Sequence, residues 1–296
     1  MFMPTYVKLA FLSILAYALI YSTIIPITND SYSYANMVIQ PQDYPPLFPS
    51  IVRFFLLPFQ LTQETALIGS FIFGSILALV LIPDLLFLLF FEMTKSTKTA
   101  FYGLFVYLFG TGITNSYYFA NIWSQALAMC LFLGMLIFLF RNQSFKALIC
   151  MVLIVFAHRL FVYYALAIFM IYLIGMSFFR NKAPFYCLSS TGAITSSLSC
   201  IFSYFIVTFP AIWLVALRNT INTLKGEFYL LISFLPLFFY WIDLRVFLVS
   251  SSLWCLYVGK EMERGRGRAA IIVIFCILFS VFSYLYTQKL VSVGVF

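Results

Sequence analysis

Long apolar runs, separated by short polar intervals, dominate this sequence of 296 residues. Ala66 to Phe91 contains one charged side chain, Asp84, and Trp123 to Phe140 contains none. A helix rises about 1.5 Å per residue, so about 20 apolar residues match the hydrocarbon thickness of a bilayer. Only 9% of the residues are charged, against about 25% in soluble domains, and 64% are hydrophobic. The sequence therefore predicts an all-α, polytopic integral membrane protein.

We expect roughly eight to ten membrane-spanning helices, in a single transmembrane domain over residues 1–296 with no soluble domain. The predicted apolar segments are Tyr6–Ile25, Ala66–Phe91, Thr99–Thr111, Trp123–Phe140, Ala147–Ala157, Leu160–Phe179, Tyr186–Phe209, Phe228–Val258 and Ala269–Tyr286. Leu47 to Phe59 is aromatic and holds two prolines, which favours a short helix in the membrane interface. Pro236 and the cluster from Asp243 to Arg245 predict a break in the segment Phe228–Val258. The sequence leaves open whether this segment crosses the membrane once or twice.

The basic residues predict an orientation. With the N-terminus inside, the inner intervals hold Lys8, Lys95, Lys98, Arg141, Lys146, Arg180, Lys182, Lys260, Arg264, Arg266 and Arg268, and the outer ones hold Arg53, Arg159, Arg218, Lys225 and Lys289. Because positive charge is enriched in cytoplasmic loops, we expect a cytoplasmic N-terminus, in a plasma membrane or an endoplasmic reticulum membrane, and a basic loop from Lys260 to Arg268. This rule accounts for the net charge of +8 without a nucleic-acid partner.

Residues 26–60 are predicted to form an outer loop that carries a candidate site and short interfacial helices. Asp30 precedes a short amphipathic stretch, Tyr32 to Gln40. Two interpretations of Asp30 stay open: a helix cap, or a carboxylate that accepts the proton of an attacking hydroxyl. Asp43 and Tyr44 lie in a proline-rich stretch typical of a turn. A second carboxylate at Asp43 is also suited to bind a sugar hydroxyl or a divalent cation.

Two groups of basic residues are candidates for binding a substrate. His158, the only histidine, and Arg159 lie between two short apolar segments. They either reach toward lipid headgroups or clamp an anion, since a guanidinium binds phosphate through two parallel hydrogen bonds. Arg245 lies with Asp243 inside an apolar segment, where a charge needs a partner or a function. The sequence leaves these alternatives open.

The layout resembles the GT-C superfamily of membrane glycosyltransferases, which use polyprenyl- or dolichyl-phosphate-linked sugars. The resemblance extends through the segment Leu160–Phe179, and it rests on one span followed by an acidic outer loop, on Tyr44-Pro45-Pro46 and on many short membrane helices. It implies that Asp30 acts as a base or orients the acceptor, and that His158-Arg159 contacts the lipid phosphate. The implied partners are a lipid-linked sugar donor, a glycan, lipid or protein acceptor, and membrane lipids.

Three other functions stay open at this stage. They are a glycan polymerase or flippase-like protein, an ion-coupled secondary transporter that uses Asp84 or Asp243, and a non-catalytic subunit of a membrane complex. The sequence has no glycine-rich phosphate loop, which argues against an ATP-driven pump. Apart from a divalent cation, no cofactor is expected. The tyrosines Tyr32, Tyr44 and Tyr117 are further candidates, for stacking on sugar rings.

Overall fold

The computed structural model describes residues 4–23, 29–40, 46–111, 117–118, 122–178 and 246–292. Its helices are α1 (Thr5–Tyr21), α2 (Asn29–Ile39), α3 (Leu47–Leu56), α4 (Gln63–Ile76), α5 (Ile82–Thr94), α6 (Thr97–Gly110), α7 (Trp123–Phe140), α8 (Ser144–Ala157), α9 (Arg159–Phe178), α10 (Val246–Arg264) and α11 (Arg266–Ser292), with a π-helical turn, Leu77–Leu81, between α4 and α5. Within these ranges there is no β-strand. The all-helical prediction is confirmed for the described part of the chain.

Three of the described helices are long and apolar enough to cross a membrane. They are Gln63–Thr94, Trp123–Phe140 and Arg266–Leu285, judged by length and composition alone. The first of them is continuous through α4, the π turn and α5. Shorter apolar helices occupy Thr5–Tyr21, Leu47–Leu56, Ser144–Ala157 and Phe161–Met170. The predicted segment Tyr186–Phe209, and the part of Phe228–Val258 up to Arg245, lie outside the described residues.

The predicted basic loop from Lys260 to Arg268 is wrong. α10 continues to Arg264, and α11 begins at Arg266, so Gly265 alone separates the two helices. Lys, Glu, Met and Arg all have high helix propensity, so charge alone does not end a helix here. Arg264 also donates from Nη1 to Oε1 of Glu261, one turn earlier, at 2.6 Å, which supports the last turn of α10.

Charged side chains join several helix ends at one end of the bundle. Arg141, just after α7, donates from Nε and Nη2 to Oε1 of Glu92 in the last turn of α5, at 2.8 and 2.6 Å. The hydroxyls of Ser96 and Thr99, at the start of α6, both donate to the Glu263 carboxylate in α10. We call this the basic end. Its cations are Lys95, Lys98, Arg141, Lys146, Lys260, Arg264, Arg266 and Arg268.

The opposite end of the bundle, which we call the distal end, is where α7 and α9 begin. Since α7 finishes at the basic end, its first residue, Trp123, lies at the distal end. α9 runs in the same direction, because Tyr172 near its end donates to Oδ1 of Asn142 at 3.4 Å. Arg159, the first residue of α9, therefore also lies at the distal end.

Small residues bring α6 and α10 into close contact, and this is the most extensive contact between two described helices. A Cβ atom on Gly259 would lie 2.5 Å from the backbone N of Gly103 and 2.9 Å from the carbonyl O of Thr99. Ser251, Cys255 and Gly259 recur every fourth residue, which aligns them on one face of α10. Small residues at this spacing are typical of closely packed membrane helices.

Candidate functional site

Asp30 lies in the first turn of α2. The helix begins at Asn29, before the amphipathic stretch Tyr32 to Gln40, so it already includes Asp30. The side chain of Asp30 is exposed. The N-terminal turn of a helix stabilises a negative charge through its backbone N–H dipoles. The structure therefore presents Asp30 as an accessible carboxylate on a helix start.

Tyr34, one turn after Asp30 on α2, connects this helix to α7. Its hydroxyl oxygen accepts a hydrogen bond from the backbone N–H of Ser124 at 3.3 Å. That N–H is one of the donors left unpaired at a helix start, and the preceding Ile122 offers no side-chain cap. The hydroxyl of Tyr34 on α2 thus caps the start of α7, where the local sequence provides no capping side chain. The contact holds α2, one turn after Asp30, against the beginning of α7.

Buried aromatic rings surround this contact. The ring of Tyr34 lies 5.3 Å from Phe48 and 5.3 Å from Trp123, between ring centroids. Trp123 is fully buried and lies directly against α4, because Gly74 has no side chain. A Cβ atom on Gly74 would lie 2.3 Å from Cδ1 of Trp123. These aromatic contacts pack α2, α3 and α4 around the first turn of α7.

His158 is held by the same turn of α7. It follows the last residue of α8 in an extended conformation, with φ −165° and ψ 121°. Nε2 of Gln125 donates to Nε2 of His158 at 3.3 Å. The side-chain amide of Gln125 thereby fixes the orientation of the imidazole ring of His158. Gln125 is 2% exposed and His158 is half-buried, whereas Arg159 is exposed. Of this pair, Arg159 is therefore the side chain that is accessible at the surface.

The structure brings two predicted site regions together at the start of α7. Tyr34, on α2 with Asp30, contacts Ser124, and His158 contacts the next residue, Gln125. Asp30 lies one helical turn before Tyr34, and Arg159 directly follows His158. A helix start thus fixes the two regions near each other, although they are far apart in the sequence.

The remaining predicted site residues have different outcomes. Asp43, Tyr44 and Arg245 lie outside the described residues. Tyr32 is 45% exposed and Tyr117 is 1% exposed, so only Tyr32 of these two predicted stacking residues presents its ring at the surface. Among the residues that the structure describes, no three His, Cys, Asp or Glu side chains form a group that would hold a metal ion.

Gln125 is not among the predicted site residues, although the sequence contains a signal for it. Gln125 is an amide in the first turn of an otherwise apolar helix of 18 residues. A hydrogen-bonding side chain in such a segment requires a partner on a neighbouring helix. The contact between Tyr34 and Ser124 has no comparable signal, since the chain contains 20 tyrosines and the donor is a backbone group.

Comparisons of this chain with protein-family models, with curated proteins and with solved structures find no match.

Proposed function

We propose that this chain is a multi-pass membrane glycosyltransferase that moves a sugar from a polyprenyl-phosphate-linked donor to a glycan, lipid or protein acceptor. One observation carries the proposal: Tyr34, one turn from Asp30, and His158, next to Arg159, contact adjacent residues at the start of α7. A carboxylate and a guanidinium are thereby held at one end of the bundle. In the proposed reaction the Asp30 carboxylate is the base that deprotonates the acceptor, and the Arg159 guanidinium is the cation that binds the donor phosphate.

The helix arrangement supports a multi-pass topology, for which we retain the expectation of roughly eight to ten crossings. The short apolar helices α1, α8 and α9 pack beside the longer candidate spans. The basic end corresponds to the cytoplasmic face, where Lys and Arg are enriched, so the N-terminus is cytoplasmic and the distal end faces outward. α3 then lies in the outer interface, and its exposed Phe54 and Phe55 reach into the lipid.

The proposed reaction assigns a separate task to each side chain. Arg159 binds the phosphate of the donor through two parallel hydrogen bonds, while the bilayer holds the polyprenyl tail. Gln125 fixes His158, and with it the turn that leads into α9 and orients Arg159. Asp30 accepts the proton of the acceptor hydroxyl while that oxygen bonds to the anomeric carbon. The lipid phosphate leaves with the electron pair of the broken bond, and the anomeric configuration is inverted.

A transfer assay with matched carboxylate variants tests the proposal. Purified protein in proteoliposomes is supplied with a panel of radiolabelled polyprenyl-phosphate sugars. We expect Asp30→Asn to lower the rate by about 10²- to 10⁴-fold, because a general base contributes that much. Glu64→Gln is the control, since Glu64 is another exposed carboxylate in the first turn of a helix, α4. It should retain the wild-type rate.

The assay separates three outcomes. Equal transfer by wild type and Asp30→Asn would retain the enzyme but remove Asp30 as its base, which would direct attention to Asp43. Equal loss in Asp30→Asn and Glu64→Gln would indicate a general charge effect rather than catalysis. No transfer from any donor by folded protein would contradict the glycosyltransferase proposal.

A further inference from the structure

The long helix Gln63–Thr94 contains an irregular turn in its middle. In the π turn Leu77–Leu81 the backbone widens, and the N–H of Ile82 bonds to the carbonyl of Leu77, five residues earlier. Pro83 follows and has no N–H, so the regular α-helical bonding pattern is interrupted at this point. Single π turns inside α-helices are rare and are frequently found at functional sites. The residue directly after Pro83 is Asp84.

Asp84 lies near mid-depth of the proposed membrane region. It precedes Glu92 by eight residues, which correspond to about 12 Å along a helix. Glu92 is bonded to Lys95 and Arg141 at the basic end, and this group marks the edge of the apolar region. The middle of a hydrocarbon layer about 30 Å thick lies about 15 Å from its edge. A carboxylate at that depth is costly when ionised and is usually functional.

No cation among the described residues pairs with the carboxyl group of Asp84. The side chain is half-buried and makes no hydrogen bond or ion pair with another described residue. The helices packed against the π turn and α5 are α1, α4, α6, α7 and α10. Their charged residues are Lys8, Glu64, Lys98, Lys260, Glu261, Glu263 and Arg264, all in end turns, and their other titratable groups are Tyr6, Tyr17, Tyr21, Tyr102, Tyr107, Cys130, Cys255 and Tyr257. Tyrosine and cysteine are neutral at acid and neutral pH, so they do not neutralise a carboxylate.

We propose that Asp84 is a proton-binding site inside the membrane, separate from the site at the distal end. The protonated carboxyl group is neutral, and burial at this depth favours it over the carboxylate. Glycosyl transfer at the distal end requires no such group. Protonatable carboxyl groups at mid-depth are instead characteristic of proteins that couple their function to protons.

Modification by an apolar carbodiimide tests this site directly. A protonated carboxyl group transfers its proton to a nitrogen of dicyclohexylcarbodiimide, and the carboxylate oxygen then bonds to the central carbon. The adduct rearranges to a stable N-acylurea that retains the whole reagent, and peptide mass spectrometry locates it. In proteoliposomes we expect an adduct on Asp84 that diminishes as the pH rises. A water-soluble carbodiimide should label the exposed Asp30 and leave Asp84 unmodified.

Two variants and a folding check make the result decisive. Asp84→Asn has nearly the same shape and should lose the adduct, whereas Asp84→Glu keeps a carboxyl group and should retain it. Absence of the adduct from folded wild-type protein, while the denatured protein is labelled at Asp84, would overturn the proposal, because it would mean that a cation keeps the carboxylate ionised. Equal labelling by the water-soluble reagent would also overturn it. No sugar donor is present, so the result does not depend on the glycosyltransferase proposal.

Discussion

Single charged residues have different environments at the two ends of the bundle. At the basic end, Glu92 is 9% exposed and accepts hydrogen bonds from Lys95 at 2.5 Å and from Arg141 at 2.6 Å. Charge-assisted hydrogen bonds of this kind hold helix ends in place. At the distal end, Arg159 and Asp30 are exposed on the first turns of their helices. The ion pairs of the basic end join helix ends, whereas the side chains of Asp30 and Arg159 are accessible to a ligand at the distal end.

Arg159 provides a prediction about donor binding. Arg159→Gln removes the proposed phosphate contact, which is worth about 1.5–3 kcal/mol for a hydrogen bond to a charged group. We therefore expect KM for the lipid-linked donor to rise by roughly 10- to 100-fold, with little change in kcat. Arg159→Lys should restore part of the affinity, since it keeps the charge but not the bidentate geometry. A fall in kcat with unchanged KM would contradict a role in binding the donor.

Pairs of helices, rather than single contacts, determine the shape of the scaffold. Gly103 on α6 and Gly259 on α10 allow the two backbones to touch. The Glu263 carboxylate then reaches the hydroxyls of Ser96 and Thr99 at the start of α6. Close packing and hydrogen bonding therefore reinforce each other in this pair.

Alanine substitutions of two helical glycines test this packing. A methyl group on Gly259 would overlap backbone atoms of Gly103, so Gly259→Ala should lower the stability by about 1–3 kcal/mol. On Gly134 of α7 the nearest atom is Sγ of Cys150, at 3.7 Å, an ordinary contact distance. Gly134→Ala should therefore be neutral, or stabilising by up to about 1 kcal/mol through its helix propensity. Thermal unfolding in detergent measures both, and similar midpoints for the two variants would refute the close approach.

The elements differ in how well the sequence predicts them. Trp123–Phe140 has the predicted bounds, because a charge-free apolar run ends at Arg141. The charge of Lys260–Arg268 predicts a loop, but most of its residues have high helix propensity, and the segment is helical except at Gly265. The contacts of Tyr34 with Ser124 and of Gln125 with His158 join helices from separate parts of the chain. No local pattern specifies such tertiary contacts, so Asp30 and His158 could be chosen as candidates from the sequence, but the attachment of their two regions to the start of α7 could not be predicted.

At the scale of the whole molecule, the two ends of the bundle have opposite characters. The basic end combines many cations with the ion pairs of Glu92 and Glu261. The distal end combines Asp30, Arg159 and a buried aromatic cluster. In the proposed membrane topology this asymmetry sets the orientation, since translocating lysine and arginine is unfavourable.

Labelling of single introduced cysteines tests the orientation. Asp30→Cys at the distal end should react with a membrane-impermeant maleimide added outside intact cells. Lys95→Cys, at a side chain that is 68% exposed at the basic end, should react only after the membrane is permeabilised. The parent protein measures the background from its native cysteines, of which the four described ones are buried or half-buried. The reverse pattern would invert the proposed topology.

The contact between α6 and α10 has a consequence for how the chain is made. A ribosome completes α6 long before it reaches Gly259, so the face of α6 around Gly103 forms before the helix that covers it has been made. The hydroxyls of Ser96 and Thr99 likewise cannot donate to the Glu263 carboxylate until that residue has been synthesised. The N-terminal half is therefore left with an incomplete surface during its biosynthesis. The packing of α6 is completed late, after α10 has been synthesised.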